Sequence, residues 1–362
     1  MIISKKILTF LSFLILFIFV SGFSCSLKKD SSKDPKKSAE ELRTGTEGMS
    51  VTFMPNNPPA TVYVEQNLPN NVDVIVELFN KGVYPQPEEG KPASGKVFLS
   101  GYDQNILVFE PKSYDLSKKS LNGKSLIDIR GGSDIMIFNG KVNLDNLKVD
   151  KYEPSLLATL CYNYVTIGGP AVCIDPDPHL QQKKVCEAAP VVLTSQGAPV
   201  AITRVDVNSL AAKTTFTITI KNVGGGEVIR NKPESNQPSA AATTTSTATP
   251  GSNEDSINKC DPFGTSKLTR EDLDKVYVEE VSTGTTILQC WPFTDKSTKA
   301  DKGFIRLNNG EGIVICELEK TDAGYPGGNT AYTTPLKIVL GYAYKTTAER
   351  KLLIQKENLG KN

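Results

Sequence analysis

Few residues in this chain are equipped for chemistry. It holds one histidine, His179, among 362 residues, which closes most routes to acid–base or metal work near neutral pH. His179 follows Asp175-Pro176-Asp177-Pro178, so two carboxylates and an imidazole stand close in sequence. That is a poor ligand set for zinc or calcium, and the alternating prolines specify a structural turn. Nucleophilic catalysis needs a base within reach of a Ser or Cys, and one histidine in a Pro-rich loop completes no recognisable triad. Glu271, Asp272 and Asp274 belong to a predicted helix from Thr269 to Val276, where Thr269 serves as N-cap and acids favour the first turn. Glu254 and Asp255 read as solvated. Gly224-Gly225-Gly226 lacks the Lys and Ser/Thr of a phosphate loop and reads as a hairpin closing a strand. Glycosidase-type carboxylate pairs carry no sequence signature. The expectation is a protein that is not an enzyme and uses no cofactor or metal.

Cysteine is the reactive type present in quantity, and its meaning depends on the compartment. Lys5 and Lys6 precede an apolar run, Ile7 to Val20, and mostly small residues follow, Ser21-Gly22-Phe23-Ser24. This is the pattern of a secretory signal. The run falls short of the ~20 residues of a spanning helix, which favours a cleaved signal over a retained anchor. Cys25, just past the run, resembles the acylated cysteine of a bacterial or archaeal lipobox. Ser24 fits that motif, whereas Gly22 and Phe23 depart from it. Acylation of Cys25, ordinary cleavage near Ser24 and a retained helix all stay open, and each exports the rest of the chain.

In an oxidising compartment Cys161, Cys173, Cys186, Cys260, Cys290 and Cys316 form an even set that reads as disulfides. No CxxC pair occurs, so metal and redox motifs are weak readings. If Ile167-Gly168-Gly169 turns the chain back, Val172-Cys173-Ile174 pairs with the preceding strand and Cys161 faces Cys173 at bonding distance. A Cys173–Cys186 loop around the prolines is the competing choice.

The elements that would position these residues repeat. Leu160-Cys161-Tyr162-Asn163-Tyr164-Val165-Thr166 returns as Leu340-Gly341-Tyr342-Ala343-Tyr344-Lys345-Thr346. More loosely, Glu77 to Gly82 returns as Thr219 to Gly224. Two landmarks in the same order imply a duplicated module. Val72, Val74, Val76 and Leu78 alternate with Asp73, Ile75, Glu77 and Phe79, as do Phe216, Ile218 and Ile220 with threonines, the period of a strand. Further short strands are punctuated by Asn122-Gly123, Gly131-Gly132, Asn139-Gly140 and Asn308-Asn309-Gly310. The tyrosine pairs fall in line with Leu160 and Leu340, as core residues would.

Asn80 to Leu160 is 80 positions and Asn222 to Leu340 is 118, so the second copy carries about 38 extra. A Pro/Ser/Thr/Ala stretch accounts for most of them, and 231–256 is expected to be a disordered insertion. Its hydroxyls could accept O-linked sugar, and a bare insertion fits the same composition. The organisation that follows is 1–25 signal or anchor, 26–47 polar tether, 48–186 first sandwich and 187–358 second sandwich. Net charge is +1 with both signs interspersed, which gives no case for nucleic acid.

Short strands with Gly/Asn turns and almost no helix point to an all-β chain of antiparallel sandwiches. The alternating strand closing in Asn-x-Gly, in an exported repeat, resembles immunoglobulin-like modules of the CARDB (cell-adhesion-related) type. Leu156 to Tyr164, Val172 to Pro178, Lys221 to Val228 and Asn309-Gly310-Glu311-Gly312 are similar to uncharacterised cell-envelope proteins of small-genome archaea. The resemblance implies two tandem immunoglobulin-like sandwiches at an envelope and leaves the activity open. The leading expectation is a membrane-tethered scaffold or adhesion protein, with a surface protein or glycan as partner. The alternative is a ligand-capturing or enzyme-accessory lipoprotein that binds peptide or carbohydrate at sandwich loops.

Overall fold

The computed structural model of the chain describes residues 42–65, 70–87, 90, 92–143, 148–180, 183–210, 212–231, 253–322, 325 and 330–357. The signal, Cys25 and most of the tether lie outside these residues, as does 232–252 of the expected insertion. No helix among the described residues is long and apolar enough to cross a membrane.

The first half supplies β1 (Met49–Phe53), β2 (Thr61–Val64), β3 (Val74–Asn80), β4 (Gly95–Ser100), β5 (Leu107–Glu110), β6 (Ser113–Asp115), β7 (Ser133–Val142), β8 (Lys151–Tyr152), β9 (Ser155–Gly168) and β10 (Ala171–Ile174). The second supplies β11 (Val191–Val192), β12 (Val200–Ser209), β13 (Lys213–Asn222), β14 (Glu227–Ile229), a six-residue helix α1 (Asn253–Asn258), β15 (Lys275–Thr283), β16 (Thr286–Ile287), β17 (Gln289–Trp291), β18 (Gly303–Arg306), β19 (Glu311–Glu319), β20 (Tyr332–Lys351) and β21 (Leu353–Lys356). The protein is thus almost all β. Alternation decides which faces are buried: Val74, Val76 and Leu78 of β3 point inward, as do Phe216, Ile218 and Ile220 of β13. That is the two-residue period of the pleat.

The strands build four sheets. One runs β1-β3-β7-β5 and another β11-β12-β13-β19-β17. A central sheet runs β16-β15-β20-β9-β4-β6, with β10 and β14 also on β20 and β18 on β15. β2, β21 and β8 form a small sheet, in which β2 and β21 are parallel; the other strand pairs are antiparallel. Both halves belong to one compact unit, and one continuous apolar core runs from Met49 to Ile354.

Matched residues make matched contacts in the two halves. Val97 of β4 faces Leu160 of β9, and Val278 of β15 faces Leu340 of β20. Asn80 N–H donates to Gly132 O and Asn222 N–H to Gly310 O, each at 2.8 Å. The Asn80 carboxamide donates to Tyr84 O at 2.8 Å, and the Asn222 carboxamide to Gly226 O at 2.9 Å. Lys81 N–H reaches Gly48 O as Val223 N–H reaches Pro199 O, both at 2.9 Å. The two copies of the repeated heptad are themselves neighbours. β9 and β20 pair antiparallel at the centre of the shared sheet, with Tyr162 opposite Tyr344 and Tyr164 opposite Tyr342.

Three local expectations are corrected. Thr269 to Val276 is not a helix: the Asp272 carboxylate accepts both the Thr269 N–H (2.9 Å) and its hydroxyl (2.7 Å), which closes a turn. Asp274, at φ 57°, then leads into β15. Gly224 to Gly226 form no hairpin, because β14 beyond them pairs with β20 rather than with β13. They carry the chain from one sheet to another. β10 does not pair with β9, whose two edges are filled by β4 and β20; it takes the free start of β20 instead.

The second half's extra residues also build something. α1 occupies the end of the expected disordered insertion, and Ile257 and Cys260 pack with Phe98, Cys161, Ile229 and Ala343. This cap lies over the face of β9 and β20 opposite the tyrosines. It explains why Ala158 to Tyr162 is buried without alternation.

Candidate functional site

The cysteines form three disulfides: Cys161–Cys260, Cys173–Cys186 and Cys290–Cys316. The Cys161–Cys173 pairing is therefore corrected. With β10 displaced onto β20, Cys173 bonds Cys186 across the Pro-rich turn, and Cys161 reaches into the cap. Cys290 and Cys316 face each other across β17 and β19. Nothing in the sequence signals the cap. The partner of Cys161 lies 99 residues away, beyond the reach of a local register argument. Three disulfides fit an oxidising environment outside the cytosol. Cys25 lies outside the described residues.

In the acidic turn a lysine occupies the carboxylate of Asp175. The Asp175 carboxylate is 2.6 Å from Lys184 Nζ and also accepts the Asp177 N–H at 3.1 Å. Lys184 further donates to Asp177 O at 2.7 Å, and His179 is exposed. Glu271 is held by Lys275 and Arg306, and Asp272 by Thr269 and Lys259. Among the described residues, no group of three or more His, Cys, Asp or Glu side chains is placed to hold a metal ion.

Tyr162, Tyr164, Tyr342 and Tyr344 form a cluster in the core: each is under 2% exposed. Their rings lie 5.9–6.3 Å apart in tilted and edge-on pairs, the spacing aromatic quadrupoles favour. Two of the hydroxyls pin the places where chain crosses between sheets. Tyr164 accepts from Val83 N–H (2.9 Å) and donates to Gly197 O (2.8 Å). Tyr344 accepts from Gly226 N–H (2.8 Å) and donates to Asn222 Oδ1 (2.9 Å). Gly82 and Gly224 must be small, since a Cβ there would stand 1.9 and 2.4 Å from these hydroxyls. Burial pushes all four phenols above their ordinary range, so they stay neutral and structural.

Two depressions flank the loop from Pro292 to Lys302 in the second half. The larger, ≈ 620 Å³ and open to solvent, is lined by Pro292, Phe293, Ile305, Arg306, Asn309 and Ile313 among others. Its one carboxylate, Glu311, is tied to Lys221 at 2.7 Å. The smaller, ≈ 330 Å³, includes Arg230, Tyr277, Asp301, Lys302 and Phe304. Arg230 lies 4.7 Å from the Phe304 ring centre, a cation–π contact. Burial raises the Tyr277 phenol, and the charges of Asp295, Asp301 and Glu279 raise it further. The smaller hollow thus sets aromatic surface beside fixed charges. Among the described residues lining the larger depression there is one carboxylate, Glu311, and no histidine or cysteine. Sequence reading missed both hollows, because folding alone brings the loop and β18 against β19 in the larger and against Arg230 and β15 in the smaller.

Glu317 is a buried charge of this half, 5% exposed and gripped by Lys213 and Lys299. Burial alone would raise its pKa, but the two ammonium groups outweigh that and hold it below the ordinary carboxylate value. A depressed carboxylate stabilises the fold above its unfolded-state pKa, and that stability is lost as pH falls through the folded value. Glu317→Gln should therefore cost about 1–3 kcal/mol at pH 7, the scale of charged hydrogen bonds. The deficit should shrink as urea midpoints are taken from pH 5 down to pH 3. A deficit unchanged by pH would show that the pair is not what matters there.

A scan of protein-family models finds none that matches the chain, and no curated protein matches it.

Proposed function

We propose that this is an exported, membrane-tethered envelope protein that acts as a structural or adhesive scaffold, built from two immunoglobulin-like sandwiches in tandem. One observation carries the reading. Two halves with matched contacts share a central sheet, and a disulfide clamps a cap from the second half onto β9 of the first. Such a body transmits force between halves and resists opening outside the cell, where thiols stay oxidised. With the short accessory strands set aside, each half divides its strands four and three. The first, second, sixth and fourth lie in the half's own sheet, and the seventh, third and fifth lie in the central one. The seven strands in a four-and-three division are the count of an immunoglobulin-like sandwich, with the fifth and sixth strands exchanged between the sheets. The open hollow beside Phe293 and Arg306 favours a second reading, a lipoprotein that captures peptide or carbohydrate.

The tether is tested with the full chain in cells that export it. Protease added to intact cells should degrade the body, and wild-type protein should sediment with membranes. Cys25→Ser should move most of the protein into the soluble extracellular fraction, because one or two acyl chains supply the hold. Retention unchanged by the substitution would overturn lipidation, and protection from external protease would overturn export.

A further inference from the structure

We infer that the loop Lys124–Arg130 is a membrane-contacting tip that dips its aliphatic side chains into the lipid surface to which the chain is tethered. Leu126, Ile127 and Ile129 are 61%, 95% and 66% exposed, three of four consecutive residues turned to solvent. The scaffold does not need them. The first half places residues 116–132 between β6 and β7, whereas the second joins β18 to β19 with 307–310 alone. The added loop is held stiffly at both ends. A Cβ on Gly123 would meet Val83 backbone at 2.3 Å, and one on Gly131 would meet Asn80 O at 2.0 Å.

Local hydrogen bonds give the tip a defined turn. Ser125 N–H donates to Asp128 O (2.8 Å), Asp128 N–H to Ser125 Oγ (3.0 Å) and Arg130 N–H to the Asp128 carboxylate (3.1 Å). Lys124 and Arg130 flank it, where cations would meet lipid phosphates. An exposed tip of aliphatic residues between cations, with Asp128 as its one acid, suits a fluid bilayer, which needs no matching pocket. Location agrees. A Cβ on Gly45, near the start of the described chain, would stand 3.8 Å from Lys124 Nζ. From Cys25 to Leu42 the chain spans at most about 60 Å, so the end of the body it joins, beside this loop, is kept near the bilayer.

The inference rests on the tether reading, and the test separates the two. Full-length protein with Trp291→Phe and Ile127→Trp is reconstituted into phosphatidylcholine–phosphatidylglycerol vesicles with or without chain-brominated lipid. An Ile287→Trp protein in the same background is the comparison, since Ile287 is 55% exposed on β16. Protein should float with vesicles. The indole of the Ile127→Trp protein should lose about half its emission to brominated lipid, while that of the Ile287→Trp protein loses little. Floating protein in which both indoles are quenched alike would overturn the tip assignment alone. Protein that does not float would overturn the tether and the tip together.

Discussion

Removing the cap disulfide by Cys161→Ala with Cys260→Ala should lower the unfolding free energy by about 3–5 kcal/mol, more than removing either other bridge. The physical basis is loop length. Cys161 and Cys260 are 99 residues apart, against 26 for Cys290–Cys316 and 13 for Cys173–Cys186. Cross-linking a loop of ~100 residues removes more denatured-chain entropy than closing a short one. Both members are also packed inside: Cys161 is fully buried and Cys260 is 7% exposed beneath Phe98, Ile229, Ile257 and Ala343. The cap should loosen before the sheet does. Amides of α1 should exchange early, while those of β9 and β20, paired from Ser155 to Gly168 and Ile338 to Lys351, keep their protection. Urea unfolding of the three double mutants under non-reducing conditions gives the ranking. A cap mutant no weaker than the Cys290–Cys316 mutant would refute the assignment of the main staple to Cys161–Cys260.

Strand content was legible where one face is buried and the other is wet. Val74 to Leu78 and Phe216 to Ile220 alternate because β3 and β13 lie in outer sheets, and period-2 reading finds such strands. It loses force at β9, where Ala158 to Tyr162 is buried on both faces, by the tyrosine core and by the cap. The repeated heptad was visible, yet its meaning in space was not. Similar segments announce similar environments, and only tertiary pairing sets Tyr162 against Tyr344. The Thr269 turn misled for a local reason: a residue that caps a helix equally well closes a turn when its partner is Asp272 rather than a main-chain amide. The candidate site was legible only as cysteines. The hollows beside Phe293 and Phe304 join segments that no spacing rule connects.

Truncating the tyrosine core should cost as much as losing the cap disulfide, and the two halves should answer differently to a subtler change. Tyr342→Ala removes a fully buried ring that packs on Tyr164 and Tyr344, and about 3–5 kcal/mol should be lost. Tyr342→Phe removes only the hydroxyl, which bonds Thr166 Oγ1 at 2.8 Å and accepts the Val200 N–H at 3.3 Å. Losing the acceptor leaves that buried N–H without its partner, so a ~1–2 kcal/mol loss is expected from this one atom. Tyr162 holds the matching place in the first copy, and Thr346 matches Thr166. There the Tyr162 hydroxyl approaches the Met49 backbone without completing a bond, and neither it nor Thr346 Oγ1 has a partner among the described residues. A buried hydroxyl that makes no bond bears its desolvation cost with nothing to offset it. Tyr162→Phe should therefore be neutral or mildly stabilising, although it is the same substitution at the equivalent position. Chemical denaturation of the two phenylalanine variants side by side decides the matter. Equal losses from both would mean that the Tyr162 hydroxyl is bonded after all, and that the duplicated cores are satisfied alike.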